Sequence, residues 1–151
     1  MKLVKPKKNL GQHFLTDQNI AKRIADTVDA CPDIPVLEIG PGMGVLTQYL
    51  VEKPREVKAV EIDSESVAYL YEKFPTLQEN ILGEDFLRMR LEEIFDGKQF
   101  VLTGNYPYDI SSQIFFKMPN MIARLHTPST AAIGRTACAK NTCSASVASC
   151  C

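Results

Sequence analysis

The stretch Val36-Leu37-Glu38-Ile39-Gly40-Pro41-Gly42-Met43-Gly44-Val45-Leu46-Thr47 decides the fold. Its apolar run at 36–39 is typical of a buried strand, glycines follow at alternate positions, and an apolar helical pattern runs from Val45 to about Lys53, before Pro54. A strand, a glycine-rich turn and a helix form the opening of a nucleotide-binding βαβ unit, where glycine lets a ligand approach the main chain closely. The sequence therefore predicts an α/β fold built on a parallel sheet.

The spacing of the glycines indicates which ligand the turn would hold. A dinucleotide fingerprint would have its third glycine at position 45, but Val45 stands there and Gly44 comes one residue earlier. The tighter spacing, with Glu38 in the strand before it, favours a methionine-derived sulfonium cofactor over a pyrophosphate. We expect Gly40 and Gly42 to belong to the cofactor-binding turn.

The same alternation of strand and helix continues along the chain. Apolar runs predict further strands at 57–63, 80–82 and 100–103, and helical patterns follow 16–17, 64 and 108. Either Thr16 or Asp17 is expected to cap the first of these helices, and Asp63 the second. The prediction is about four parallel strands with flanking helices.

Acidic residues follow two of these strands. Glu61 lies 21 residues beyond Gly40, where nucleotide-binding units place a carboxylate whose two oxygens accept both ribose hydroxyls. Asp85 follows the third strand, where it is expected either to accept the exocyclic amine of an adenine or to serve only as an acidic turn.

The motif Asn105-Tyr106-Pro107-Tyr108 follows the fourth strand. The Asn105 side-chain oxygen and the Tyr106 carbonyl offer two acceptors for an amine with two N–H donors, because Pro107 cannot continue a regular ladder. Binding both hydrogens would aim the nitrogen lone pair at an electrophile, and Tyr108 offers a face on which a base can stack. The alternative is a proline-containing loop with a core tyrosine. We predict that Asn105, Pro107 and Tyr108 are the catalytic residues.

Composition limits the remaining possibilities. The chain has 151 residues, enough for one domain, and a net charge of −1. It has no apolar run of membrane-spanning length and no signal-peptide pattern, so the prediction is a cytoplasmic protein without a membrane partner. The N-terminal lysines form either a solvated tail or an arm that contacts phosphates, and His13, taken alone, is more often structural. The sequence sets no oligomeric state.

The combined motifs resemble the KsgA-type ribosomal RNA adenine dimethyltransferases, a family of class I S-adenosylmethionine-dependent enzymes with a Rossmann-like fold. The resemblance covers residues 5–118 and is carried by five motifs in order: Leu-Gly-Gln-His-Phe-Leu at 10–15, Glu-Ile-Gly-Pro-Gly-Met-Gly at 38–44, Val-Glu-Ile-Asp at 60–63, Gly-Glu-Asp-Phe at 83–86 and Gly-Asn-Tyr-Pro-Tyr at 104–108. One departure is Tyr106, where the family usually has Leu.

The resemblance implies roles for individual residues. His13 and Leu15 would close over S-adenosylmethionine, and Gly40 would lie under its methionine part. Asn105 would bridge the cofactor and the target amine. The implied reaction adds two methyl groups to N6 of each of two adjacent adenines near the 3′ end of small-subunit (16S) ribosomal RNA, in immature 30S particles during ribosome assembly. No metal is implied.

The segment 119–151 does not resemble the family. It has three basic residues, no acidic residue and four of the five cysteines, whose spacing does not fit a zinc site. We therefore expect residues 1–118 to be a truncated cofactor-binding domain, 119–151 to be a disordered or aberrant tail, and the helical RNA-binding domain of the family to be absent. An incomplete sheet would leave an open edge on the fourth strand. The alternatives to an active enzyme on small-subunit RNA are an inactive fragment or non-catalytic RNA-binding assembly factor, and a methylase of large-subunit ribosomal RNA.

Overall fold

The sheet has the predicted parallel strands. A computed structural model describes residues 15–31, 33–106, 108–117 and 135–138. Within these residues the strands are β1 (Val36–Ile39), β2 (Val57–Val60), β3 (Ile81–Leu82), β4 (Val101–Gly104) and β5 (Arg135–Cys138). They form one sheet in the order β3-β2-β1-β4-β5, in which β1 to β4 are parallel and β5 is antiparallel to β4. The α/β prediction is confirmed.

Helices connect the strands. They are α1 (Gln18–Thr27), α2 (Thr47–Leu50), α3 (Ser64–Lys73), α4 (Leu91–Ile94) and α5 (Tyr108–Lys117), with short 3₁₀ turns at Val28–Ala30 and Pro75–Asn80. Asp17 caps α1 by accepting hydrogen bonds from two backbone N–H groups of the first turn. Asp63 caps α3 by accepting from the N–H and the hydroxyl of Ser66 at 3.1 and 2.8 Å. Both expected caps are therefore present.

The glycine turn is longer, and the helix after it shorter, than the apolar pattern predicted. The pattern suggested a helix from Val45 to about residue 53, whereas α2 spans only Thr47–Leu50. Gly44 has φ +71°, outside the right-handed helical region, and its N–H donates to the Pro41 carbonyl within the turn. The helix therefore begins only after the turn is complete.

Two apolar clusters lie on the two faces of the sheet. Side chains alternate along a strand, so Val36 belongs to one cluster and Leu37 and Ile39 to the other. The first cluster includes residues of α1, α2 and α3, and the second includes residues of α4 and α5. By the same alternation, Glu38 faces the side of the sheet that α1–α3 cover.

The expectation of an open edge on β4 is wrong for the residues described, because β5 pairs with all four residues of β4. Its register partners run from Cys138, opposite Val101, to Arg135, opposite Gly104. Strand pairing satisfies backbone groups whatever the local composition, so an Ala/Ser/Thr-rich segment can still supply a strand. Residues 119–134 and 139–151 lie outside the described residues, and the prediction for them stays untested.

The backbones of β1 and β4 approach closely at Gly104. A Cβ atom at this position would lie 2.3 Å from the Ile39 carbonyl oxygen, and the residue has φ +157°. Glycine is therefore required here to bring the end of β4, and Asn105 after it, beside the end of β1.

Candidate functional site

Predicted site residues follow the carboxyl ends of adjacent parallel strands. Gly40 comes directly after β1, Glu61 directly after β2 and Asn105 directly after β4, while Asp85 follows β3 by three residues. Because the four strands are parallel, all these residues lie along one edge of the sheet.

The direction in which strands are added to the sheet reverses between β1 and β4. The first three strands wind outward from β1 to β3, and β4 then pairs with the opposite side of β1. Open α/β sheets bind their ligands at such a switch point, beyond the carboxyl ends of the strands.

A small cavity lies at this switch point. Its volume is about 20 Å³, room for about one water molecule. Its lining consists of Leu15, Glu38, Gly40, Pro41, Met43, Val45, Leu46 and Asn105. The fold thus brings together three of the predicted residues, Leu15, Gly40 and Asn105, from distant parts of the sequence.

Gly40 provides the floor of the cavity. Its φ is +64°, a conformation that side chains rarely adopt, and a Cβ atom there would have no heavy atom of the described residues within 4 Å. The space above its main chain is therefore open, as a cradle for a ligand requires.

Glu61 is attached to the glycine turn. Its Oε2 accepts a hydrogen bond from the Gly42 N–H at 3.1 Å and its Oε1 accepts one from the Asp63 N–H at 2.9 Å. The side chain is only 4% exposed, and this burial raises the pKa of the carboxyl although the two N–H donors lower it in part. Each carboxylate oxygen retains a lone pair, so the group can still accept hydroxyl donors.

Glu38 lines the cavity, although it was not among the predicted binding residues. It is 1% exposed, and its Oε2 has no hydrogen-bond partner among the residues described. Burial raises its pKa to about 8, the nearby Thr47 hydroxyl lowers it, and the charge of Glu61 adds a smaller increase. The Thr47 Oγ1 makes no hydrogen bond within the described part of the chain, so we assign it only a weak influence. An acid inside an apolar strand is the signal that could have identified Glu38 as a site residue.

The remaining predicted residues lie apart from the cavity or outside the described residues. The Asp85 Oδ1 accepts from the Leu87 N–H at 2.9 Å, its Oδ2 lies 3.4 Å from Arg88, and it does not line the cavity. Tyr108 is the first residue of α5. The Tyr108 side chain, His13 and Pro107 lie outside the described residues, so their predicted roles stay predictions.

Across 15–31, 33–106, 108–117 and 135–138, no group of three His, Cys, Asp or Glu residues could hold a metal ion. None of the helices in the described ranges has the length and apolar character that a membrane span needs.

Solved structures identify the class of the fold. The chain is 37% identical to the 23S rRNA methyltransferase ErmE, with a TM-score of 0.59 over 70% of this chain and 42% of that one. An S-adenosylmethionine-dependent O-methyltransferase from Thermotoga maritima, 13% identical, superposes with a TM-score of 0.53 over 87% of this chain and 68% of that one. The chain thus has the fold of the class I S-adenosylmethionine-dependent methyltransferases.

Within that class, the chain belongs to the ribosomal RNA adenine dimethylase family, whose model matches residues 4–137. It is 71% identical over 118 residues to the ribosomal RNA small subunit methyltransferase A of Phocaeicola vulgatus, covering 78% of this chain and 42% of that protein. It is 70% identical over 118 residues to the protein of the same name from Bacteroides fragilis (strain ATCC 25285), covering 78% of this chain and 43% of that protein. The chain therefore spans less than half the length of these relatives.

Proposed function

We propose that this chain carries the cofactor-binding and amine-binding part of an enzyme that transfers methyl groups from S-adenosylmethionine to N6 of adenines in small-subunit ribosomal RNA. The observation that carries the proposal is the convergence of Leu15, Gly40 and Asn105 around a buried carboxyl group at the switch point of the sheet. We further propose that the substrate is the immature 30S particle and that the enzyme acts in the cytoplasm, because ribosomes assemble there.

The residues present fit the cofactor. S-Adenosylmethionine carries an ammonium group and a sulfonium. The buried Oε2 of Glu38, which has no hydrogen-bond partner in the described part of the chain, is an acceptor for a cation in a cavity with an open glycine floor. A pyrophosphate would bring negative charge against this acid, so the electrostatics favour a cation. Glu61 would accept the ribose hydroxyls with its remaining lone pairs, and Asp85 would accept the adenine amine.

The chain's own residues would orient the target. When bound, the cofactor supplies an electrophilic methyl group with a neutral leaving group. The Asn105 side-chain oxygen and the Tyr106 carbonyl would accept the two N–H groups of the adenine amine and direct its lone pair towards the cavity. Holding two reactants in such an alignment contributes up to about 7–11 kcal/mol to lowering a barrier. The Tyr108 ring would stack on the adenine, which must leave its helical stack at a cost of a few kcal/mol.

Two alternatives remain. The first is a protein that binds the cofactor and RNA without turnover, such as a non-catalytic assembly factor. ErmE, named as a 23S rRNA methyltransferase, favours a large-subunit substrate, but its 37% identity is well below the 71% of the relative named for the small subunit.

Radiolabelled methyl transfer separates the three functions. The chain is incubated with labelled S-adenosylmethionine and with either unmethylated small-subunit particles or unmethylated large-subunit RNA. The proposal expects label in the small-subunit RNA, recovered as N6,N6-dimethyladenosine after digestion. Label only in the large-subunit RNA supports the second enzyme. No label, together with cofactor binding in calorimetry, supports the non-catalytic protein.

A further inference from the structure

Lys117, the last residue of α5, contacts the turn that contains Asp85. Its Nζ donates a hydrogen bond to the Leu87 carbonyl oxygen at 2.7 Å and lies 5.9 Å from the centre of the Phe86 ring. The side chain is half-buried, which strengthens both contacts relative to a fully solvated lysine.

The Asp85 turn makes hydrogen bonds within itself and further contacts with α5. The Asp85 carboxylate accepts the Leu87 N–H at 2.9 Å, and the Asp85 carbonyl oxygen accepts the N–H groups of Arg88 and Met89 at 2.9 and 3.2 Å. Phe86 is 5% exposed and shares an apolar cluster with Ile114 of α5, which is 2% exposed. The turn after β3 and the helix after the Asn105 loop are therefore joined by a shared apolar cluster and by the directional hydrogen bond from Lys117.

We infer that Lys117 is a positioning residue, which holds the turn 85–87 against α5 through the Leu87 carbonyl and so fixes the Asp85 carboxylate relative to the Asn105 loop. The apolar packing of Phe86 and Ile114 can slide, but a hydrogen bond of 2.7 Å sets one register. The inference rests on the proposed function, in which Asp85 recognises the adenine amine.

The chain offers a matched control in Lys58. Its Nζ donates to the Ile94 carbonyl oxygen at 2.5 Å and lies 4.9 Å from the centre of the Phe95 ring, with Glu56 at 3.5 Å. This is the same kind of contact, but it joins the amino-terminal half of β2 to the end of α4 and does not involve the Asp85 turn. A general loss of stability should appear in both lysine variants, whereas a positioning effect should appear only in Lys117.

The test measures how well the full chain distinguishes adenine from hypoxanthine. Calorimetry gives the affinities for two ligands. The adenine of S-adenosylhomocysteine carries an amine donor, and the hypoxanthine of S-inosylhomocysteine carries an oxygen acceptor at the same position. In Lys117→Met we expect the preference for adenine to fall about three- to tenfold, the range for one hydrogen bond. Lys58→Met should keep the preference, and Lys117→Arg should restore most of it, because a guanidinium also donates to a carbonyl.

The remaining outcomes distinguish a failure of the positioning role of Lys117 from a failure of the proposed role of Asp85. A Lys117→Met variant that keeps the wild-type preference overturns the positioning role. If Asp85→Asn also keeps the preference, the assignment of Asp85 in the proposed function fails as well. Amide hydrogen exchange without ligand provides a second measure, in which residues 85–89 should exchange faster in Lys117→Met than in Lys58→Met. Equal exchange in these two variants contradicts the inference even if no ligand binds.

Discussion

Glu38 is costly to ionise, because it is buried and its Oε2 lacks a hydrogen-bond partner within the described ranges. The carboxyl groups of Glu61 and Asp63, each 4% exposed, lie at the end of the neighbouring strand, and the charge of Glu61 raises the pKa of Glu38 further. An empty site therefore favours a protonated Glu38, and a bound cation would favour the ionised form.

The first prediction concerns the pH dependence of stability. Burial raises the pKa of Glu38 from 4.5 to about 8, so between these values the unfolded chain releases a proton that the folded chain keeps. The free energy of unfolding should therefore fall as pH rises from about 4.5 to 8, by an amount of the order of 4 kcal/mol. Urea unfolding across this range should show the full fall in the wild type and a smaller fall in Glu38→Gln, where the raised pKa of Glu61 still contributes.

Glu52→Gln provides the control, because Glu52 is an exposed carboxylate after α2. It should leave the pH profile unchanged. Parallel profiles for the wild type and Glu38→Gln would refute a protonated Glu38 in the folded chain.

The second prediction concerns the close approach at Gly104. In Gly104→Ala the new Cβ would meet the Ile39 carbonyl oxygen at 2.3 Å, and backbone cannot move aside as a side chain can. We expect a loss of about 1–3 kcal/mol in the free energy of unfolding, as for other overpacked sites. Gly83→Ala is the comparison, because its Cβ would meet only Val67 at 3.8 Å or more. Equal losses in denaturant titrations of the two variants would contradict the argument.

At the scale of elements, α1 is tied to the glycine turn by polar side chains. The Gln18 Oε1 accepts hydrogen bonds from the Gln48 Nε2 at 2.7 Å and the Tyr49 hydroxyl at 2.9 Å. The Gln48 Nε2 also donates to the Val45 carbonyl oxygen at 2.8 Å, within the turn. These bonds fix the start of α1, and with it Leu15, beside the cavity.

The third prediction tests this connection. Gln18→Ala should weaken binding of S-adenosylhomocysteine about three- to tenfold, because Leu15 would no longer be held in one position, while stability changes by less than about 1 kcal/mol. Isothermal calorimetry and urea unfolding measure the two effects. Asn19→Ala, on the exposed face of the same helix turn, should change neither. A wild-type affinity in Gln18→Ala would show that Leu15 is positioned by other contacts.

What the sequence could predict depends on how local each feature is. The positions of Gly40, Glu61 and Asn105 follow from counting residues past apolar runs, because a strand end fixes which residue comes next. The burial of Glu38 depends on α2 packing over β1, and β5 pairs with β4 across more than thirty residues of chain, so neither is encoded in a local pattern. The helix α4, with four residues, is too short to show a helical period.

At the scale of the whole molecule, the sheet of the described residues gains its fifth strand from the atypical C-terminal segment. Without β5, the main-chain groups of β4 would be exposed along an apolar strand, and exposed edges pair with other chains. The C-terminal segment therefore covers the edge of β4 that would otherwise be exposed.

The fourth prediction compares two shortened chains. A chain ending at residue 117 should self-associate, whereas a chain ending at residue 138, which keeps β5, should elute as the full chain does. Size-exclusion chromatography with light scattering over a range of concentrations measures this. Identical elution of the two shortened chains would indicate that β5 does not protect the edge of β4.

The hydrogen bond from Gly42 to Glu61 has a consequence for mutagenesis. The carboxylate proposed to hold the sugar also accepts a hydrogen bond from the glycine turn, which is proposed to lie beneath the sulfur end of the same ligand. Replacing Glu61 by alanine would thus damage two subsites together, and the affinity lost would overstate the contribution of the sugar. A ligand without its 2′-hydroxyl, offered to the unaltered protein, isolates the sugar contact because it leaves that hydrogen bond in place.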